Sequence, residues 1–460
     1  MNIFIHHRDL RFKDNTTLIE QIKGEGNVTP IFVFDPKQID KKKNPYFSDN
    51  LVQFMVQCIE KLNKDYKKKD GELYTFKGDY LKILRDLHKN YGINSIGFNF
   101  DYSPYAKERD QKIIDFCIKN DIQIYNKEDM LLHDLLDGKT KSKSEEPYKV
   151  FTPFKNNLKK KRVRSVNKFR GFNFKKKSKL KKSKYAYKDY NKLYTQNDNV
   201  LVEGGRKWAL NRIKNLKKFN NYSECRDQMT YETTLLSASI NFNVLSIREI
   251  YEKVKKLFGL NHGIINELYW RDFYYNILYF FPHIIKGSFK EKYDNIKWRN
   301  SQKDFDKWKK GETGYPLVDA CMRQMNTTGY MHNRGRMIVS SFLIKNLFID
   351  WRWGEKYFAN KLVDYNISAN NGGWQWSSGS GTDSQPYFRI FNVWTQAKKF
   401  DKECKYIKKW IPELEDLPCK DILNWDKSHS LFNNDTDYPK PMVDHKETRE
   451  RALDLFKKYL

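Results

Sequence analysis

Several side chains in this 460-residue chain are of kinds and spacings that could do chemistry together. A helix advances about 100° per residue, so positions three and four apart share a face. Glu267 and Trp270 form such a pair within ELYWRDFYY (267–275), and Asn333, Arg334 and Met337 form such a stripe. A carboxylate, an amide, an aromatic plane and a thioether suit a pocket for an unstacked nucleic-acid base, polar groups meeting its edges and flat groups its faces. Ordinary core packing would use Trp270 and Met337 equally well. Trp374 and Trp376 stand two apart, so on a helix one can line a cavity while the other faces inward. TTLLS (233–237) puts hydroxyls where a helix start could meet a diphosphate. The nine histidines are dispersed, with neither HExxH nor a Cys/His cluster, so no metal is expected. The loop GGWQWSSGSGTD (372–383) lacks the lysine of a phosphate-cradling Walker A motif.

Short β-rich runs alternate with helical stretches up to about residue 137: NIFI (2–5), VTPIFVF (28–34), LYTF (73–76), SIGFNF (95–100) and IQIY (122–125). That alternation predicts an α/β domain with a doubly wound parallel sheet over 1–137. No GxGxxG follows the first strand, which argues against an ordinary dinucleotide fingerprint. Residues 138–199 read as a basic, lysine-rich connector. Within 139–192 there are 21 Lys/Arg against 3 Asp/Glu, or 18 of the chain's 29 net positive charges, and aromatics are interleaved. The block containing KKKRVR (159–164) and KKKSKLKKSK (175–184) reads as a solvated linker, a nucleic-acid contact or a nuclear import signal. Beyond residue 200 the pattern is almost wholly helical and holds all eleven tryptophans, with MIVSSFLIKNLFI (337–349) as a buried helix. The six cysteines show no CxxC pair or framework spacing, so a reduced, intracellular protein is expected, cytoplasmic or nuclear. No apolar run approaches the ~20 residues of a membrane span.

The longest informative stretches are TGYPLVDACMRQMNTTGYMHNRGRM (313–337), DWRWGEKYF (350–358) and NNGGWQWSSGSGTDSQPYFRIFN (370–392). With HHRDLRFKDNTTL (6–18) and PYKVFTPF (147–154), they resemble the photolyase/cryptochrome flavoproteins, and most of all the class I cyclobutane pyrimidine dimer photolyases. The similarity covers nearly the whole chain outside the lysine block. It implies a helical FAD-binding domain over 200–460, FAD active in its reduced form, and light-driven splitting of dimers in damaged DNA by a monomer.

The resemblance also distributes roles. Glu267, Trp270, Tyr274, Asn333, Met337 and Trp376 would receive the lesion, and Arg226, Arg334, Gln396 and Lys398 would grip the flanking phosphates. Tyr222, Thr233, Thr234, Leu235, Leu236 and Ser237 would meet the FAD phosphates. Arg336, Asp364, Tyr365 and Asn366 would meet the isoalloxazine edge, with Asn370 beside N5. Electrons would pass along Trp374, Trp351 and Trp298. Departures from the family pattern are SASINFN (237–243), Leu235 for a frequent Arg, Trp394 for a usual Pro, and the glycine of HNRGR (332–336), reminiscent of the DASH branch. NNGGWQW is not expected of a DASH protein, and a 6-4 enzyme would carry a His pair at His332-Asn333. YSPYAKERD (102–110) lacks the glutamate of folate-binding members, so a second, antenna chromophore is expected to be deazaflavin-type or absent. The alternatives are a 6-4 photolyase, a cryptochrome-like signalling flavoprotein and a basic nucleic-acid-binding module. The complete lesion set and the absence of a long tail after 446–460 favour repair.

Overall fold

Short runs of Ile, Val, Phe and Tyr pair into one sheet of five strands: β1 (Asn2–His6), β2 (Thr29–Phe34), β3 (Tyr74–Lys77), β4 (Ser95–Asn99) and β5 (Gln123–Lys127). The order is β3-β2-β1-β4-β5 and every pairing is parallel, with Ile3 opposite Thr29 on one side and Ile96 on the other. Parallel strands are covered on both faces, so β2 (TPIFVF) is buried at all six positions and apolar at the last five. The helices between them begin at short polar residues. Asn15, Ser48, Asp79 and Ser103 each accept a backbone N–H from the first turn of Thr16–Glu25, Asp49–Lys67, Tyr80–Tyr91 and Pro104–Lys119. The computed structural model describes every residue except Lys139, Lys143, Asn433 and Asn434.

Packing divides the chain differently from the ranges 1–137, 138–199 and 200–460. One compact unit comprises Met1–Asn197, Val202–Asn220 and Thr234–Pro282; the other comprises Asp198–Leu201, Asn221–Thr233 and His283–Leu460. The first unit therefore takes up the basic stretch and the helices Ile247–Phe258 and Gly263–Phe280 together with the sheet.

A buried charge cluster accounts for part of that grouping. Arg248, on the helix Ile247–Phe258, donates to Asp14 Oδ2 at 2.9 Å and Asp129 Oδ1 at 2.7 Å, and Arg11 pairs with the other Asp129 oxygen. Arg11 also donates to the carbonyls of Asn243 and Asp14 at 3.0 and 2.8 Å, and Thr16 N–H reaches Asp129 at 3.1 Å. Arg11, Asp14, Asp129 and Arg248 are all buried. Burial alone would raise the Asp129 carboxyl, but Arg11 and Arg248 outweigh it and hold it well below the usual carboxylate range.

In the second unit the helices Gln302–Lys310, Pro316–Thr328, Asn333–Ser341, Trp351–Lys361 and Ile367–Ser378 enclose an aromatic core around Trp308, Trp351 and Trp374. The stretch 337–349, expected as one helix, instead runs from the α-helix Asn333–Ser341 into a π-helical turn, Phe342–Asn346. There the Lys345 ammonium is enclosed. It donates to the carbonyls of Ser378 and Tyr387 at 3.0 and 3.3 Å and lies 3.9 Å from the Phe456 ring centre. Burial lowers its pKa to about 7. The expectation of uniformly reduced cysteines is corrected at one pair. Cys404 and Cys419 form a disulfide, Cα atoms 5.7 Å apart, because the chain folds back between them. No described helix is long and apolar enough to cross a membrane.

The charge cluster carries a prediction. Asp129→Asn leaves two buried guanidiniums facing a neutral amide, and is expected to cost about 3–5 kcal/mol. A carboxylate depressed on folding contributes above its unfolded pKa of about 4, and that contribution is lost as pH falls. Urea midpoints should therefore differ most near neutrality and converge in acid. Equal midpoints for parent and variant at pH 7 would overturn the assignment.

Candidate functional site

The first unit carries one group of expected residues on the helix Gly263–Phe280. Its apolar positions, including Leu268, Phe273, Ile277 and Leu278, are buried, while Glu267, Trp270 and Tyr274, spaced three and four apart, are half-buried on another face. Trp270 is held flat. Phe151, from the PYKVFTPF motif, lies parallel to it with ring centres 3.6 Å apart and planes 8° apart, and Phe273 meets it edge-on at 5.8 Å. Phe151 is itself buried, so one indole face is covered and the ring's rotation is blocked. The motif is legible in the sequence, whereas the stacking of Phe151 behind Trp270 is not.

TTLLS is divided between the units, Thr233 falling in the second and Thr234–Ser237 in the first. Ser237 opens a five-residue helix, Ser237–Asn241, whose N-cap, Leu236, has no side chain to bond the first turn. Leu235 is buried with φ of 54°, a left-handed conformation uncommon for a non-glycine residue. The Thr234 carbonyl accepts from Arg212 Nε at 3.0 Å.

In the second unit, Asn333 and Met337 do share a face, Asn333 Nδ2 lying 3.8 Å from Met337 Sδ. Arg334, one residue on, is engaged with other partners. It pairs with Asp227 at 2.5 Å and sits 4.5 Å from the Phe400 ring centre. A phosphate at Arg334 would compete with Asp227. Gln396 has a buried Oε1 without a partner, Lys398 donates to Asn424 at 2.7 Å, and Arg226 and Tyr222 are half-buried. Burial pushes the neighbouring His332 ring down to about 4, so it is neutral at pH 7.

Arg336 Nη2 donates to both oxygens of buried Asp364, at 3.1 and 2.9 Å, while its Nε bonds the Met331 carbonyl. Tyr365 packs at the edge of the core, and Thr233 Oγ1 lies 3.3 Å from the Tyr330 hydroxyl. Asn366 caps the helix Ile367–Ser378, its Oδ1 accepting from Ser368 and Ala369 N–H groups at 3.1 and 3.2 Å. Asn370 Nδ2 donates to the carbonyl and a carboxyl oxygen of Glu355, both at 3.0 Å. A carbonyl can only accept, so this arrangement orients the amide and leaves its Oδ1 as the outward acceptor. Burial pushes the Glu355 carboxyl up to about 7, the Asn370 bond offsetting part of that.

The same helix separates its tryptophans as expected: Trp374 is 3% exposed and Trp376 half-buried. Trp374 is seated between Phe358 and Trp308, with ring centres at 5.0 and 6.1 Å. Its indole also lies on Gly354, where any Cβ would collide with the ring. Trp351 is buried and Trp298 reaches the half-exposed rim, against Phe348 and Phe456. Trp394 fills its unusual position by stacking on Tyr315, ring centres 4.6 Å apart. Trp308, Gly354 and Glu355 support this site, yet only their packing identifies them.

Residues 2–169 match the family described as DNA photolyase, and residues 264–458 the family described as FAD binding domain of DNA photolyase. The chain is 34% identical to the deoxyribodipyrimidine photo-lyase of Buchnera aphidicola subsp. Acyrthosiphon pisum, over 99% of this chain and 96% of the relative. An archaeal photolyase from Sulfolobus tokodaii, solved with two FAD molecules, superposes with a TM-score of 0.87 at 35% identity over the whole of both chains. A Synechocystis cryptochrome gives the same TM-score at 25% identity, over 99% of each chain.

The Glu355 carboxyl gives this site a pH signature. In the unfolded chain it ionises near its ordinary ~4.3. Between that value and about 7 the folded protein keeps a proton that the unfolded chain has lost. Stability from this group is full in acid and falls as pH rises through that window. Glu355→Gln removes the dependence, so its melting temperature should gain on the parent's between pH 5 and pH 8, by a free energy on the order of 2–3 kcal/mol. Parallel profiles would overturn it.

Proposed function

Because this chain belongs to the DNA photolyase family, we infer that it is a light-dependent DNA repair enzyme, a deoxyribodipyrimidine photo-lyase, whose lesion is the cyclobutane pyrimidine dimer. The observation that carries the choice of lesion is Trp270, half-buried and stacked on Phe151, one turn from Glu267 on the same helix, the kind of fixed plane and carboxylate that a flipped base would meet. Within the second unit, Asn333, Met337 and Trp376 are the further residues that the family resemblance would assign to lesion contact. The signalling alternative has no use for that set.

The residues of the second unit fit a flavin in kind: a buried carboxylate held by an arginine, and an amide oriented to accept. Bound, reduced FAD supplies the photoexcited electron that reopens the dimer ring. Asp364, kept in place by Arg336, would accept from the ring edge, with Tyr365 and Asn366 alongside it. Asn370 would present its Oδ1 to N5 because Glu355 occupies its N–H groups. Tyr222 and Thr233 in the second unit, and Thr234, Leu235, Leu236 and Ser237 in the first, are the residues that the family resemblance would assign to diphosphate contact. Arg226, Arg334, Gln396 and Lys398 would grip the phosphates that flank the lesion. Trp374 and Trp351 are buried and Trp298 is half-exposed, as a path that refills the cofactor with electrons from outside would need.

For an antenna, His7 Nε2 and Asp110 Oδ2 are two of the buried polar atoms of the α/β unit that have no hydrogen-bond partner among the described residues, and so could meet a second ring system. His7 follows β1, at the carboxyl end of the sheet where α/β folds take ligands. We favour a deazaflavin-type chromophore or none. Mass spectrometry of chromophores released by heating should find FAD without a folate, and a bound folate would overturn this.

The central test illuminates the reduced protein with an oligonucleotide carrying one cyclobutane dimer, beside dark and 6-4 lesion controls. Light-dependent recovery of thymine absorbance on the cyclobutane substrate alone is expected. Trp298→Phe should lose flavin photoreduction at least tenfold while keeping repair once the flavin is reduced chemically. A flavin that photoreduces while both lesions stay intact would establish the signalling reading instead.

A further inference from the structure

The lysine-rich stretch is built into the first unit, and its backbone is pinned across the β3 edge of the sheet. Val28 and Phe174 form a parallel bridge, and Phe76 and Ala186 an antiparallel one. Lys175 N–H donates to the Val28 carbonyl at 2.8 Å, and Lys77 N–H donates to the Tyr185 carbonyl at 2.9 Å. Between these points Tyr74 OH accepts from Lys177 N–H at 2.8 Å, and Tyr91 OH donates to the Lys179 carbonyl at 3.0 Å. Two side chains anchor the stretch. Leu180 is 1% exposed within the sheet's core cluster, and Phe174 lies so close to Gly71 that a Cβ there would come within 2.7 Å of its own.

The lysines flanking these anchors are exposed. Lys175, Lys176, Lys177, Lys179 and Lys182 are exposed and, among the described residues, form no ion pair, whereas Lys181 pairs with Glu72 at 2.7 Å. Phe174 and Leu180 take up the inward positions, and of the lysines over 175–182 only Lys181 reaches an acidic partner among the described residues. They are strung along the chain and converge on no single point, which suits a linear polyanion and not a small anion. Because the backbone is fixed before any partner arrives, binding does not have to order it.

We propose that residues 175–184 form a second, sequence-independent docking surface for the phosphate backbone of duplex DNA, carried on the α/β unit. The proposal extends the reading of the chain as a DNA repair enzyme, and its test uses undamaged DNA so that the two can fail separately. Deleting the stretch would tear Leu180 from the core, so the experiment keeps the anchors. The full-length, FAD-loaded protein is compared with a variant carrying K175Q, K176Q, K177Q, K179Q and K182Q, matched in melting temperature. Fluorescence anisotropy follows binding to an undamaged duplex over a range of salt. The variant should bind at least tenfold more weakly at low salt. Its plot of log K against log salt should be shallower by about 0.9 for each phosphate that the lysines no longer neutralise. Light-driven repair of a dimer in a six-nucleotide single strand should be unchanged. Identical affinity and slope would overturn the proposal. So would unchanged duplex binding with loss of binding to phosphatidylserine vesicles, which would assign the ribbon to an anionic membrane surface. If the parent repairs nothing while the variant still loses duplex binding, the repair reading falls and the docking surface stands.

Discussion

Two guanidiniums and two carboxylates buried together set the terms for the first unit. Asp129 follows the last strand, Asp14 and Arg11 follow the first, and Arg248 comes from a helix more than a hundred residues later. None of the four could be dry alone. An unpaired buried charge costs several kcal/mol, and the Coulombic return depends on every remaining donor and acceptor finding a partner. The cluster is therefore weak as a source of net stability and strong as a constraint. The helices after Thr234 must dock where Arg248 reaches both carboxylates, and that places the helix bearing Glu267, Trp270 and Tyr274 in the same unit as the sheet.

Around the site the same logic recurs with weaker forces. A plane proposed to meet a base must not rotate, and Phe151 blocks rotation by stacking on one face of Trp270. A tryptophan proposed for an electron path needs fixed neighbours, and Gly354 lets Trp374 approach a helix more closely than any side chain would permit. An amide that must accept has to have its N–H groups occupied, as Glu355 occupies those of Asn370. In each case the residue with the expected role is held by one that has no direct role. The supporting residue is a phenyl ring, a missing side chain or a buried carboxyl.

The basic stretch shows why composition alone misleads. Its charge excess argues against a core of its own, and it has none; it borrows one, contributing Leu180 and Phe174 to the α/β unit at intervals among the lysines. A connector drawn from charge density becomes, in three dimensions, a cover for a sheet edge that would otherwise be open to pairing. The π-turn at Phe342–Asn346 is a similar case. An apolar run reads as continuous helix, but a lysine that must reach the Ser378 and Tyr387 carbonyls sits in a turn with one extra residue.

The parallel α/β sheet and the helical character of the remainder were legible in the amino-acid sequence. Strand and helix periods are local, and burial on both faces writes a continuous apolar run. The family was legible there too, because the motifs over 313–392 are long and join residue types that no single structural need would bring together. The tertiary structure alone decided where the compact units divide, that Arg334 turns to Asp227, that Cys404 meets Cys419, and which residues hold the site residues still. These depend on contacts between positions far apart in the chain. Such contacts follow from shape and from the pairing of buried charge, and neither leaves a period or a spacing to be read.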